Sequence, residues 1–185
     1  MKKPTIHQIT NVASSCLFKI EALDLEFSNG VKTQYERIAS RGPGAVLIIP
    51  VLDDNTILLI REYAAGTDRY ELAFPKGKVE PNEEVMDAAN REIMEEVGYE
   101  SAKLTLLKRL SLAPGYMGHI TNIILAENLS EHREPGDEPE EIEVVPWKIS
   151  EIDNLLELEE FSEGRSVAAL YLLKNYLDKK RALKK

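Results

Sequence analysis

Residues 77–99 read GKVEPNEEVMDAANREIMEEVGY, and this stretch limits what the chain can become more than any other. Gly77, Glu83, Arg91, Glu92, Glu95, Glu96 and Gly98 stand at the spacing G-x5-E-x7-R-E-x-x-E-E-x-G, with Ile93 inside it and Tyr99 just after. Composition alone would produce such a match with a chance on the order of 10⁻⁵ over all windows. On a helix, residues three and four apart share a face, so Glu92, Glu95 and Glu96 point the same way. Like charges at i,i+4 cost roughly 0.2–0.5 kcal/mol per pair, and a cation relieves that cost. The competing reading is a solvated, charge-rich helix face. Its boundaries argue otherwise: Lys76-Gly77-Lys78 precedes the helix, Asn82 suits an N-cap, and Gly98 suits a C-terminal stop. A glycine-containing loop that feeds a helix start also suits anions.

The ligands select the cation. An all-oxygen, carboxylate-rich cluster without His or Cys favours hard divalent ions, Mg²⁺ first and Mn²⁺ second. Mg²⁺ keeps waters and completes its shell with substrate phosphates. The chemistry such a site favours is attack of water on phosphorus.

The chain has 185 residues, 43% of them hydrophobic, and a formal charge of −9, enough for one full domain or one domain with an appendage. The negative balance argues against nucleic acid or an anionic membrane as partner. It leaves phosphorylated small molecules open, since bound metals reverse the local sign. The lone cysteine, Cys16, excludes an internal disulfide and lies in an apolar run, where a small core residue is expected. Pro4 and polar residues follow Lys2-Lys3 where a signal peptide needs an apolar segment. The longest apolar runs are strand-sized. The cytoplasm is the expected location.

Along the chain, residues 16–27 alternate as a strand, Ser28-Asn29-Gly30 is a hairpin turn, and 31–38 return as a second strand. Arg41-Gly42-Pro43-Gly44 breaks the chain. Residues 45–52 and 56–63 are apolar enough for central strands. A short strand at 70–75 leads into a helix over roughly 83–97, with Val85, Ala88, Ala89 and Val97 available to pack inward. Strands follow at 104–113, 120–129 and 143–147, with Trp147 in the core. Residues 130–141 form an acidic loop, 150–158 a helix, and 165–180 a final amphipathic helix. Strands interleaved with helices indicate an α/β layered fold. The expected division is a β-hairpin module over 1–43 and a second domain over 44–185.

The box at 77–99 resembles that of the Nudix hydrolases, and Ala113-Pro114-Gly115 resembles the proline signature of their ADP-ribose pyrophosphatase branch. The segments LEFSNG, LIREYA, DAANRE and GDEPE are most similar to its ADP-compounds hydrolase (NudE-type) subgroup. The resemblance implies an α/β/α sandwich around a mixed sheet. It also implies a Mg²⁺-dependent pyrophosphohydrolase acting on ADP-containing compounds such as ADP-ribose, NADH and diadenosine polyphosphates, and releasing AMP. It makes Glu92, Glu95 and Glu96 metal positions, with the backbone carbonyl of Lys76 a further ligand. Arg91 would orient the glutamates, and Glu83 would support that arrangement or share a metal through water. Glu138 and Glu140 are the candidates for the general base: by the resemblance Glu138 would activate water and Glu140 hold a further metal, the competing reading being a merely solvated acidic loop. Lys76 is a departure, because a small residue commonly precedes the box glycine in that branch. For substrate, Arg61 could pair with phosphate, Tyr116 stack on a base, and Glu71 and Pro114 line the approach; each reads equally as a structural residue. A homodimer through the N-terminal module is expected. The rival functions are a Nudix hydrolase of another nucleoside diphosphate derivative, such as a sugar nucleotide, and a non-catalytic nucleotide-binding module.

Overall fold

In the computed structural model, residues 2–40 and 42–183 are described; Arg41, within the expected chain break, lies outside them. The chain forms two compact units: one holds residues up to 44 together with 111–120, the other 45–110 and 121 onward.

The first unit is a three-stranded antiparallel sheet in the order β1 (Thr5–Ser14), β2 (Lys19–Glu26), β3 (Lys32–Ile38). The expected hairpin is therefore a three-stranded sheet, and the strand expected from residue 16 begins at Lys19. The extra strand, TIHQITNVAS, is exposed along its whole length and its pairing shifts register twice, so its sequence carries no period-2 burial signal. Burial falls on the central strand, at Ala22, Leu23 and Leu25. Cys16, expected in the core, is exposed, because it lies in the β1–β2 connection. The turn at Ser28–Gly30 forms as expected: Phe27 N–H donates to Val31 O at 2.9 Å, and Gly30 takes φ +84°. Residues 111–120 join this unit at the end of β3, where Ile38 N–H donates to Tyr116 O at 2.7 Å.

The second unit, among the described residues, is built on a seven-stranded sheet. Its strands are β4 (Ala45–Asp53), β5 (Thr56–Ala64), β6 (Arg69–Ala73), β7 (Lys76–Lys78), β8 (Tyr99–Ser111), β9 (Ile120–Glu131) and β10 (Glu143–Lys148). The path runs β10-β5-β4-β9-β8, with β6 beside β5 and β7 beside β4. β4 pairs parallel with β9 and antiparallel with β5 and β7, so the sheet is mixed. The continuous apolar run of β4 is explained by helices on both faces. Val46 and Ile48 pack with Ala88, Ala89 and Ile93 of α1 (Val85–Glu96). Leu47 and Ile49 face the other way, against Ala169, Leu170 and Leu173 of α3 (Gly164–Ala182). This is an α/β/α sandwich.

Several expectations shift in detail. The segment expected as one strand at 70–75 splits into β6 and β7, and β8 begins at Tyr99 rather than 104. The helix expected over 150–158 shrinks to a 3-10 turn at Ile149–Glu151 and the single-turn α2 (Ile152–Leu155). Here Ile149, Ile152 and Leu155 are buried, so packing rather than propensity fixes the segment. Asn82 is not the N-cap of α1. It takes a left-handed φ of +69°, and Glu84 holds the cap position without a side-chain bond. Trp147 is half-buried, packs against the core and donates from Nε1 to Glu151 O at 3.1 Å. No helix among the described residues is long and apolar enough to cross a membrane.

Candidate active site

The stretch β7–loop–α1 folds so that the helix delivers its carboxylates onto the loop that precedes it. Gly98, at φ +79°, ends α1, donating from its N–H to Ile93 O at 2.9 Å. Glu92 and Glu96 sit one turn apart on the buried side of the helix, 7% and 2% exposed. Lys76 N–H donates to Glu96 Oε2 at 2.9 Å. Glu92 lies so close to the loop that a Cβ on Gly77 would stand 1.9 Å from its carboxyl carbon. That residue must be glycine for Glu92 to rest there.

Arg91 ties the group together. Its Nη1 donates to Glu92 Oε1 at 2.9 Å and to Glu95 Oε2 at 3.0 Å. Nε and Nη2 bind Glu83 at 2.9 and 3.2 Å, and Nη2 also reaches Lys78 O at 3.0 Å. This holds the Glu83 carboxyl below its ordinary range and raises Arg91. Glu83 in turn accepts from Glu80 N–H at 2.8 Å, fixing the loop.

Burial pushes Glu92 up to about 7, opposed by Arg91 and reinforced by the charges of Glu95 and Glu138. Burial raises Glu96 well above the carboxylate range against the pull of Lys76, with Glu92 and Glu62 adding to the rise. Two carboxyls kept from water beside further acids constitute an unmet demand for positive charge. Among the described residues no three side chains already converge as a preformed metal cage; a guanidinium nitrogen sits between Glu92 and Glu95 instead. The donors are nonetheless all oxygen and rich in negative charge, which fits a hard divalent cation.

These groups line a cleft of about 550 Å³ that also takes in Glu62, Lys76 and, from the facing loop, Glu138. That loop, residues 132–142, has no regular structure. His132 N–H donates to Gly98 O at 3.0 Å and Glu134 N–H to Met94 O at 3.2 Å, so its first residues are tied to the end of α1. Glu138 reaches the cleft, whereas Glu140 accepts from the Tyr70 hydroxyl at 2.7 Å.

Two of the substrate residues expected from sequence, Arg61 and Glu71, are taken up in ion pairs. Arg61 lies between Glu160 and Glu143, at 2.9 and 2.5 Å, and these bonds raise its pKa. Glu71 is buried against Arg69 at 2.8 Å. Neither lines the cleft. Pro114 and Tyr116 belong to the first unit. Glu62 is the acid that sequence reasoning missed. Its signal was a second charge, beside Arg61, where the apolar run of β5 ends; in the structure it pairs with Lys76.

Comparison with known proteins bears directly on this arrangement. A family model described as the NUDIX domain matches residues 42–170. The chain belongs to the Nudix hydrolase family. A second model, the NudE-type Nudix hydrolase N-terminal domain, matches residues 4–37, the span of the three-stranded sheet. The chain is 48% identical to the ADP compounds hydrolase NudE of Escherichia coli K12, over 96% of this chain and 95% of that one. It is 32% identical to the ADP-ribose pyrophosphatase of Bacillus subtilis 168, over 86% and 84%. A solved structure described as an ADP compounds hydrolase superposes with a TM-score of 0.91 at 47% identity, covering 97% of both chains. This Nudix chain is thus a pyrophosphohydrolase, and the family's use of a divalent metal agrees with the donor set found in the cleft.

Proposed function

We propose that this protein is a Mg²⁺-dependent hydrolase, Mn²⁺ serving second, that cleaves the pyrophosphate bond of ADP-containing compounds such as ADP-ribose, NADH and diadenosine polyphosphates and releases AMP. The observation that carries the chemistry is the pair of buried carboxylates, Glu92 and Glu96, set beside Glu95 in a cleft that Glu138 faces. The ADP moiety is supported by the names of the relatives above.

The metal would be held by Glu92, Glu95, Glu96 and the Lys76 carbonyl, with Glu140 a further position. Bound there, a divalent ion neutralises charge developing on the diphosphate. Arg91 keeps Glu92 and Glu95 aimed at one point by bonding both. Glu138 takes the proton of the attacking water. The water oxygen bonds to phosphorus, the bond from that phosphorus to the bridging oxygen breaks, and the second phosphate leaves. For the base, Glu138→Gln is expected to lower kcat by about 10²–10³-fold, the usual worth of a positioned proton acceptor, with KM within about twofold. Normal turnover would remove Glu138 from this role.

The overall reading is tested by incubating the protein with ADP-ribose, NADH, diadenosine triphosphate and GDP-mannose, with Mg²⁺ or with chelator, and scoring released AMP or, from GDP-mannose, GMP. Cleavage of GDP-mannose alone would favour the sugar-nucleotide alternative, and binding without turnover the non-catalytic one. Residues 1–43 would serve as a dimerisation module and 44–185 as the hydrolase domain, in a cytoplasmic homodimer without nucleic-acid or membrane partners. Ile6, Ile9 and Val12, each about half exposed on β1, support association through this sheet. Light scattering at micromolar concentration is expected to give a dimer, and a monomer would overturn that assignment.

A further inference from the structure

Lys76 presents two separate groups to the cleft. Its backbone secures Glu96, as described, whatever the side chain does. The side chain follows its own course: Nζ lies 2.5 Å from Glu62 Oε2, at 22% exposure, and both residues line the cleft that holds Glu92, Glu95 and Glu96. Lys76, Lys78 and Arg91 are the cations lining that cleft among the described residues. Arg91 is committed to three carboxylates and a carbonyl. Lys78 is exposed. Lys76 has three ammonium protons, and Glu62 is its side-chain partner. An ammonium is a compact charge on a flexible stem, able to exchange one oxyanion for another without disturbing the backbone.

We propose that the Lys76 ammonium contacts a non-bridging oxygen of the substrate's diphosphate, and that Glu62 parks it on the cleft wall in the free enzyme. This rests on the hydrolase reading above for the diphosphate but not for the nucleoside. Lys76 is then a substrate-binding residue through its side chain. Glu62 is its competitor: binding exchanges one carboxylate partner for a phosphate oxygen.

Inorganic pyrophosphate, titrated calorimetrically with Mg²⁺ present, is the direct probe. Lys76→Met keeps the backbone bond to Glu96 and is expected to weaken pyrophosphate binding about tenfold, equivalent to about 1.4 kcal/mol. Glu62→Gln is expected to strengthen it severalfold, because the parked ammonium is released. A merely structural pair would give both variants the same sign. A pure field effect is separated by the double variant Glu62→Gln/Lys76→Met, which restores the wild-type cleft charge. It should remain about fivefold or more weaker than wild type, and full recovery would overturn the contact. In turnover of ADP-ribose, Lys76→Met should raise KM about tenfold with kcat within about twofold; a lower kcat with unchanged KM and pyrophosphate affinity would also overturn it. If pyrophosphate binding responds as described but ADP-ribose is not cleaved, this inference stands and the nucleoside assignment falls.

Discussion

Glu96→Gln is expected to cut turnover severely and, at the same time, to stabilise the metal-free protein. Metal-borne charge stabilisation is worth several kcal/mol, and each 1.4 kcal/mol is tenfold, so kcat should fall by about 10³-fold. Stability moves the other way because Glu96, 2% exposed, carries a carboxyl whose charge the fold does not fully accommodate. Gln keeps an oxygen to accept from Lys76 N–H and removes the charge. Removing an incompletely paired buried charge removes its desolvation cost, and a gain of about 1 kcal/mol would raise Tm by roughly 2–4 °C in a chain of this size. The pH dependence follows from the direction of the shifts. Glu92, pushed up to about 7, and Glu96, raised well above the carboxylate range, both bind protons more readily folded than unfolded. The stability these two groups contribute is therefore fully present below the ordinary carboxylate value near 4.5 and is lost as pH rises from there through 7. Melts in chelator from pH 5 to 8 should show wild type losing stability with a steeper slope than Glu96→Gln. Mg²⁺ should restore wild type and leave the variant unmoved. A variant that melts lower than wild type in chelator, or that turns over normally, would remove Glu96 from the metal set.

How much of this could be read from the sequence depended on where each residue's partners lie. The apolar runs of β4 and β5 announce themselves because both faces of a central strand are buried, and Gly98 stops α1 because a left-handed residue ends a helix. The carboxylates of the box share a face by helical spacing alone. β1 was invisible because an exposed strand with two register shifts has no periodic burial to display. The short α2 was overextended because nothing local reveals that one turn suffices once Ile152 and Leu155 are buried. Arg61 and Glu71 read in sequence equally as substrate contacts and as structural residues. Glu143 reaches Arg61 through the pairing of β5 with β10 and Glu160 through the approach to α3, whereas Arg69 stands two residues from Glu71 on β6, a same-face strand pair. Glu62 was hidden for the same reason as the pairing of Arg61: its meaning depends on Lys76, fourteen residues away on another strand.

Gly77→Ala is expected to leave a folded protein that has lost about 10²-fold or more in kcat. The alanine Cβ would stand 1.9–2.1 Å from the Glu92 carboxyl carbon and both its oxygens, distances that no real contact tolerates. No left-handed φ is needed at Gly77, so the obstacle is contact alone. What must move is the end of a flexible side chain rather than backbone, so the fold survives. Tm should change by no more than a few degrees, as a typical single substitution costs about 1 kcal/mol. The displaced carboxylate, however, is one of the three proposed to hold the cation, and it shares Arg91 Nη1 with Glu95. Pushing Glu92 aside therefore perturbs Glu95 as well, and a misplacement of about 1 Å can cost 10²-fold in rate. The loss should appear as a raised Mg²⁺ requirement: activity should recover in part at tens of millimolar metal in Gly77→Ala, but not in Glu96→Gln, which lacks a ligand outright. A Gly77→Ala protein with normal activity at ordinary Mg²⁺ would mean that Glu92 does not rest against the loop during catalysis, and would separate the helix carboxylates from the function assigned to them.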